Sequence, residues 1–71
     1  KEAHWSHVLE RELERTGKKS KEIAASPGNA PWKITAAIKL RLAGASYAWI
    51  TTALSMGKTS SVRVYLSRAQ Q

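Results

Sequence analysis

Ser46-Tyr47-Ala48-Trp49-Ile50-Thr51-Thr52-Ala53-Leu54-Ser55-Met56-Gly57-Lys58-Thr59-Ser60-Ser61-Val62-Arg63-Val64-Tyr65-Leu66 is the stretch whose reading decides the fold. Ile50 and Leu54 stand four residues apart, Val62 and Leu66 do the same, and Met56 lies between the two pairs. Residues four apart share one face of a helix, so each pair marks a short helix with a single apolar line. Met56 is then the one buried residue of the turn, enough to hold two helices at a steep angle. The pattern predicts a helix-turn-helix over 46–69. Ser46 caps its first helix, roughly Tyr47 to Leu54, and Thr59 caps its second, roughly Thr59 to Ala69.

Upstream, Asn29 or Ala30 begins another helix, with Pro31 in the first turn, and Gly44 ends it. Ile34, Ala37, Ile38 and Leu42 form its inner face, and Trp32, Ala36 and Leu40 widen that face enough for a central helix packed on two sides. Lys33, Lys39 and Arg41 are expected to point outward. Ser26-Pro27-Gly28-Asn29 is turn chemistry, and before it Ser20 caps a short helix, Lys21 to Ala25, with Ile23 and Ala24 inward. Ala3 to Thr16 carries Trp5, Val8, Leu9 and Leu13 at spacings of three and four, with Glu10, Arg11, Glu12, Glu14 and Arg15 on the wet side and Gly17 as the stop. No repeat, low-complexity tract or strand pair interrupts the series. The expectation is an all-α chain, a small bundle of four or five helices containing a helix-turn-helix. It forms one domain over residues 1–71, with a leading helix in 1–19 and a helical core in 20–71.

A chain of 71 residues buries only about 60% of the surface its unfolded form exposes, which leaves modest stability and no room for a two-lobed active site. With no Cys there is neither a disulfide framework nor a thiolate metal site, which suits a reducing compartment; a cytoplasmic location is expected. No apolar run approaches the roughly 18 residues of a membrane span, so no membrane partner is expected. The chain opens on Lys1 rather than Met, so a longer protein, with a leader or a catalytic domain upstream of Lys1, is also expected.

The net charge of +7 is unevenly spread. Residues 1–22 hold all five acids and a balance of +1, whereas residues 23–71 hold Lys33, Lys39, Arg41, Lys58, Arg63 and Arg68 with no Asp or Glu, a balance of +6. A polyanion would meet no carboxylate along that second part, and a helix-turn-helix is built to lay its second helix in the major groove of duplex DNA. With Val62, Leu66 and Ala69 as the buried line of the last helix, a turn of 100° per residue puts Ser60, Val64 and Ser67 nearly opposite, flanked by Arg63 and Arg68. Ser60, Arg63, Val64 and Ser67 are therefore expected to face the groove. Lys58, the Ser61 hydroxyl, Lys33, Lys39, Arg41 and Arg68 are expected on phosphates.

Several of these residues carry a plainer reading too. Arg63 has two donors to clasp a guanine edge, but half or more of protein–DNA hydrogen bonds go to the backbone, which favours a phosphate. Ser60 and Ser61 also serve as helix-start residues. Val64 meets a thymine methyl or a neighbouring helix. Trp49 and Tyr47 fit half-buried cover for the bundle better than base stacking.

From about Glu22 onward the chain resembles the C-terminal helical domain of REP-associated tyrosine transposases and similar transposase-like bacterial proteins. The resemblance rests on Pro31-Trp32-Lys33-Ile34 leading into Ile38-Lys39-Leu40-Arg41-Leu42, on Trp49-Ile50 and Leu54-Ser55-Met56-Gly57, and on Val62 with Leu66. It covers about two-thirds of the chain. It implies a DNA-binding appendage that helps a transposase hold a hairpin or flanking repeat. Ala48 stands where that family usually has Lys, Thr51 where it has Ala, and Arg63 where Ser is common, so the resemblance carries the module rather than a DNA sequence. The family's catalytic half needs a His-apolar-His pair and a separate Tyr nucleophile. His4-Trp5-Ser6-His7 has two intervening residues, and Tyr47 and Tyr65 lie inside the helix pair, so neither carries over.

No other chemistry competes. His4 and His7 lack a third metal ligand beyond Glu10 or Glu14, no Ser-His-acid set is credible, and Gly57-Lys58-Thr59 lacks the upstream glycines of a phosphate loop. No catalytic residue, metal or cofactor is expected. The rivals to DNA binding are an RNA-binding helical module and a protein-interaction module that docks a partner or a second copy through Trp5, Val8 and Leu13 of the leading helix.

Overall fold

Pro31 sets φ for a helical first turn and lacks an N–H that would find no partner there, so the central helix begins at it. The computed structural model describes residues 1–69: α1 (Glu2–Thr16), α2 (Ser20–Ala25), α3 (Pro31–Leu42), α4 (Tyr47–Ala53) and α5 (Thr59–Ala69), with no strand among them. The all-α bundle read from periodicity is the fold, with five helices. Gln70 and Gln71, counted in the expected domain, lie outside the described residues. The central helix, α3, packs against α1, α4 and α5, and α4 packs against α5. Between them lie Ala36, Ala37, Leu40, Ala45, Ile50, Leu54, Met56, Val62 and Leu66.

Three helices end the same way. Lys18 N–H reaches Leu13 C=O, Ala45 N–H reaches Leu40 C=O, and Met56 N–H reaches Thr51 C=O, each at 3.0 Å. Such six-residue closures need a left-handed residue next to last. Gly17 (φ 74°) and Gly44 (φ 98°) take that role freely, but after α4 it falls to Ser55 (φ 50°), at a cost of roughly 1–2 kcal/mol. At the starts, Ser46 Oγ accepts the Trp49 N–H at 3.1 Å, as its cap position predicts. Ser20 and Thr59 are instead the first helical residues. Lys19 holds the cap position of α2, and Val62 N–H bonds to Lys58 C=O, one residue earlier than expected.

The largest correction concerns α3. Of its expected inner face, Ala36, Ala37 and Leu40 are buried and Trp32, Ile34 and Ile38 pack half-buried against the core, but Leu42 is outside and Lys33, expected outward, is inside. Leu42 is 81% exposed, because two residues beyond Leu40 a helix has turned about 200°. Lys33, expected on the surface, is 0% exposed. Its Nζ donates to the carbonyls of Ile23, of Ser26 (3.0 Å) and of Ser55 (3.4 Å), one acceptor for each ammonium proton. One side chain of α3 thus ties the end of α2, the turn after it, and the turn between α4 and α5. The two turns also touch. A Cβ on Gly28 would come within 3.0 Å of the Met56 carbonyl oxygen, so the close approach needs glycine. Within α2, Ile23 is half-buried and Ala24 is exposed, against the expectation that both turn inward.

A second charged residue occupies a core line in α1. Trp5, Val8 and Leu9 pack on the core, and Glu12, expected on the wet side, continues their line at 5% exposure. Trp5 meets Trp49 edge-on, with centroids 5.5 Å apart. Trp5 and Val8, offered above as a docking face for a partner, are therefore engaged by the chain's own core. In α5, Val62 and Leu66 are buried as expected, but Ala69 is exposed.

Burial pushes the Lys33 ammonium below the ordinary lysine value of 10.5, while the three carbonyls favour its charged form. Replacing it strands those acceptors. Lys33→Met is expected to lower unfolding free energy by about 2–4 kcal/mol in urea denaturation. A loss below about 0.5 kcal/mol would mean that the two turns hold without it.

Candidate nucleic-acid interface

The last helix carries its buried line on one side, so its other side is open by geometry. Ser60, Arg63, Val64 and Ser67 all lie on that open side, with Val64 at 44% exposure, and Arg68 and Lys58 are exposed at either end. Ser61 is half-buried. The positions expected to face a groove therefore share one exposed surface of α5.

Apart from Lys58 and Arg68, the residues expected to grip DNA with a positive charge divide into three groups. Lys33 is withdrawn altogether, because its charge is spent on backbone carbonyls inside the bundle. Lys39 turns toward α1, where its Nζ donates to Glu12 Oε2 at 2.9 Å. Arg15 donates to Glu12 Oε1 through Nε at 3.1 Å and also through Nη2. The periodicity of α1 had assigned Glu12 to solvent, and nothing in a single sequence pairs it with a lysine 27 residues on. Val8, Arg11, Glu12, Arg15 and Lys39 line an open cleft of about 380 Å³. Its single carboxylate pairs with two of the three cations there, Arg15 and Lys39.

Arg41 and Arg63 form the third group. Residues 22 apart in sequence, one at the end of α3 and one in α5, they converge on the ring of Tyr47 at the start of α4. The Arg41 guanidinium carbon lies 4.4 Å from the ring centroid and that of Arg63 4.8 Å. Arg41 Nη1 also donates to Ala45 C=O at 2.7 Å, which fixes its head group beside the turn. Among the described residues no carboxylate pairs with Arg41, Lys58, Arg63 or Arg68. Sequence reasoning took Tyr47 as cover for the bundle. The available hint was its position directly after the cap Ser46, within reach of the α3 terminus that Gly44 turns back.

Among the described residues no group of three or more His, Asp and Glu gathers as a metal site, and no helix is long and apolar enough to cross a membrane. No protein-family model, curated protein or solved structure matches the chain.

Acid should act on this molecule through Glu12. The Arg15 hydrogen bond holds its carboxyl below the ordinary 4.5, against the opposing effect of burial, and Lys39 adds to the lowering. The folded state then binds fewer protons than the unfolded chain. The stability this contributes is complete above 4.5 and is lost as pH falls through the depressed folded value. Thermal melting followed from neutral pH into that acid range should drop for the parent and drop less for Glu12→Gln. Parallel curves would place the acid sensitivity elsewhere.

Proposed function

We propose that this chain is a non-catalytic DNA-binding domain in which α4 and α5 work as a helix-turn-helix, with α5 entering the major groove of duplex or hairpin DNA. One observation carries the reading. The exposed side of α5 holds Ser60, Arg63, Val64 and Ser67, in a segment that contains no carboxylate. A phosphate backbone approaching that side meets cations and hydroxyls and no repelling charge. The buried Met56 and the contact of its backbone with Gly28 support a rigid turn, and a reading helix needs one, because base edges are recognised only from a fixed register. The resemblance of Pro31–Leu42 and Trp49–Gly57 to the tail of REP-associated tyrosine transposases supports a place beside a transposase-like catalytic unit.

Four cations without a carboxylate partner, Arg41, Lys58, Arg63 and Arg68, flank or occupy this surface and set the electrostatic part of binding. Neutralising three or four phosphates gives a log–log slope of affinity on salt of about −2.7 to −3.6. Titration of a labelled hairpin duplex at several salt concentrations measures it, with structured RNA as competitor at equal salt. Salt-independent binding, or RNA winning the competition, would remove the DNA reading.

Arg63 and Arg11 are both exposed arginines, one on α5 and one on α1. Arg63→Ala should weaken duplex binding on the order of tenfold, and Arg11→Ala much less. Equal losses would take α5 out of the interface.

A further inference from the structure

Tyr47 is the point on which two otherwise distant arginines meet, and we propose that Arg41, Tyr47 and Arg63 form one phosphate-binding site that grips a single backbone phosphodiester. The proposal rests on the DNA reading above and assigns Arg63 to the backbone, which leaves base discrimination to Ser60, Val64 and Ser67. Two guanidiniums brought to one aromatic ring repel each other, and in most surfaces a nearby carboxylate offsets that repulsion. Here none does. Every Glu of the chain precedes residue 23, and neither arginine has an acidic partner among the described residues. The negative face of the phenol ring, at 4.4 and 4.8 Å from the two head groups, and for Arg41 the Ala45 carbonyl, supply what compensation the described residues provide.

What remains is donor capacity. Arg41 gives one N–H to Ala45 C=O, and Arg63 gives none to the described residues. A planar guanidinium presents its N–H groups as a fork matched to two oxygens of a phosphate, and two such forks on one site satisfy a tetrahedral oxyanion from two sides. The ring stiffens both side chains before the ligand arrives, so less rotamer freedom is lost on binding. The location agrees with the chemistry. The site sits at the start of α4, and the first helix of a helix-turn-helix is the one that crosses the backbone. Tyr47 is a positioning residue here, acting through its ring rather than its hydroxyl.

A shared site makes a distinctive prediction about salt. If both arginines hold the same phosphate, Arg63→Ala or Arg41→Gln alone weakens binding to a labelled hairpin duplex by on the order of tenfold but leaves that phosphate neutralised, so the log–log salt slope barely moves. Only the double variant loses the contact, and its slope falls by about 0.9. Tyr47→Phe keeps the parent's affinity and slope, whereas Tyr47→Leu weakens binding at an unchanged helical circular-dichroism signal. Slopes that fall by about 0.9 for each single variant and about 1.8 for the pair would mean two separate phosphates and overturn the shared site. Relaxed preference at one base position in Arg63→Ala, read by selection from a randomised duplex pool, would overturn it too. A double variant with the parent's affinity and slope defeats the site alone, while a parent that binds no duplex defeats the DNA reading as well.

Discussion

The Lys33 ammonium is the constraint on which the arrangement of this bundle depends. Taking a cation out of water costs several kcal/mol, and in a chain of 71 residues that is comparable to the whole stability expected of it. The fold offsets the cost by bringing three carbonyls, from Ile23, Ser26 and Ser55, to one nitrogen. Those carbonyls belong to three different pieces of chain, so satisfying the charge fixes where the pieces lie. The turn after α2 comes against the turn after α4 closely enough that Gly28 has no space for a Cβ. The strained backbone at Ser55 belongs to the same junction, because its carbonyl is one of the three acceptors. An apolar residue at position 33 would fill the space without specifying which turns meet there.

Glu12 plays a smaller version of the same part between α1 and α3. It stands where α1's apolar line would continue, and it draws Lys39 and Arg15 to itself. These two buried charges change the electrostatics of the surface. The later segment has six cations and no acids, but Lys33 is enclosed and Lys39 is ion-paired with Glu12 of the leading helix. The positive potential therefore concentrates on Arg41, Lys58, Arg63 and Arg68, around the α4–α5 pair, rather than over the whole second half of the chain. Long-range attraction of a polyanion depends on where such uncompensated charge collects more than on its total.

In sequence, periodicity was enough to read the helices and their stops. Ile50, Leu54, Val62 and Leu66 are buried where their four-residue spacing puts them, and Gly17, Ser46 and Gly44 end or begin helices as their conformational preferences require. The errors at Lys33 and Glu12 share one cause. Assigning Lys33 and Glu12 to solvent because they are charged shifted the inferred face of α3 and left Glu12 off the inner line of α1. With Lys33 taken as outward, the inner face of α3 widens as far as Leu42; with Lys33 inside, it centres on Ala36, Ala37 and Leu40 and leaves Leu42 in water. A period of 3.6 residues carries no information about which charged residue will find partners in the interior.

The amino-acid order by itself determined the all-α class, the buried pairs Ile50–Leu54 and Val62–Leu66 of α4 and α5, and the separation of an acid-bearing first part from an acid-free second part. These are local properties, set by spacing, caps and composition within a few turns of chain. The tertiary structure alone decided that a lysine and a glutamate would be buried, and that Arg41 and Arg63 would meet on Tyr47. Those outcomes depend on pairs distant in sequence, such as Lys33 with Ser55, 22 positions apart, and Glu12 with Lys39, 27 apart. A charge goes inside only when distant backbone or side-chain partners arrive together to replace its water, and only the assembled bundle brings them there.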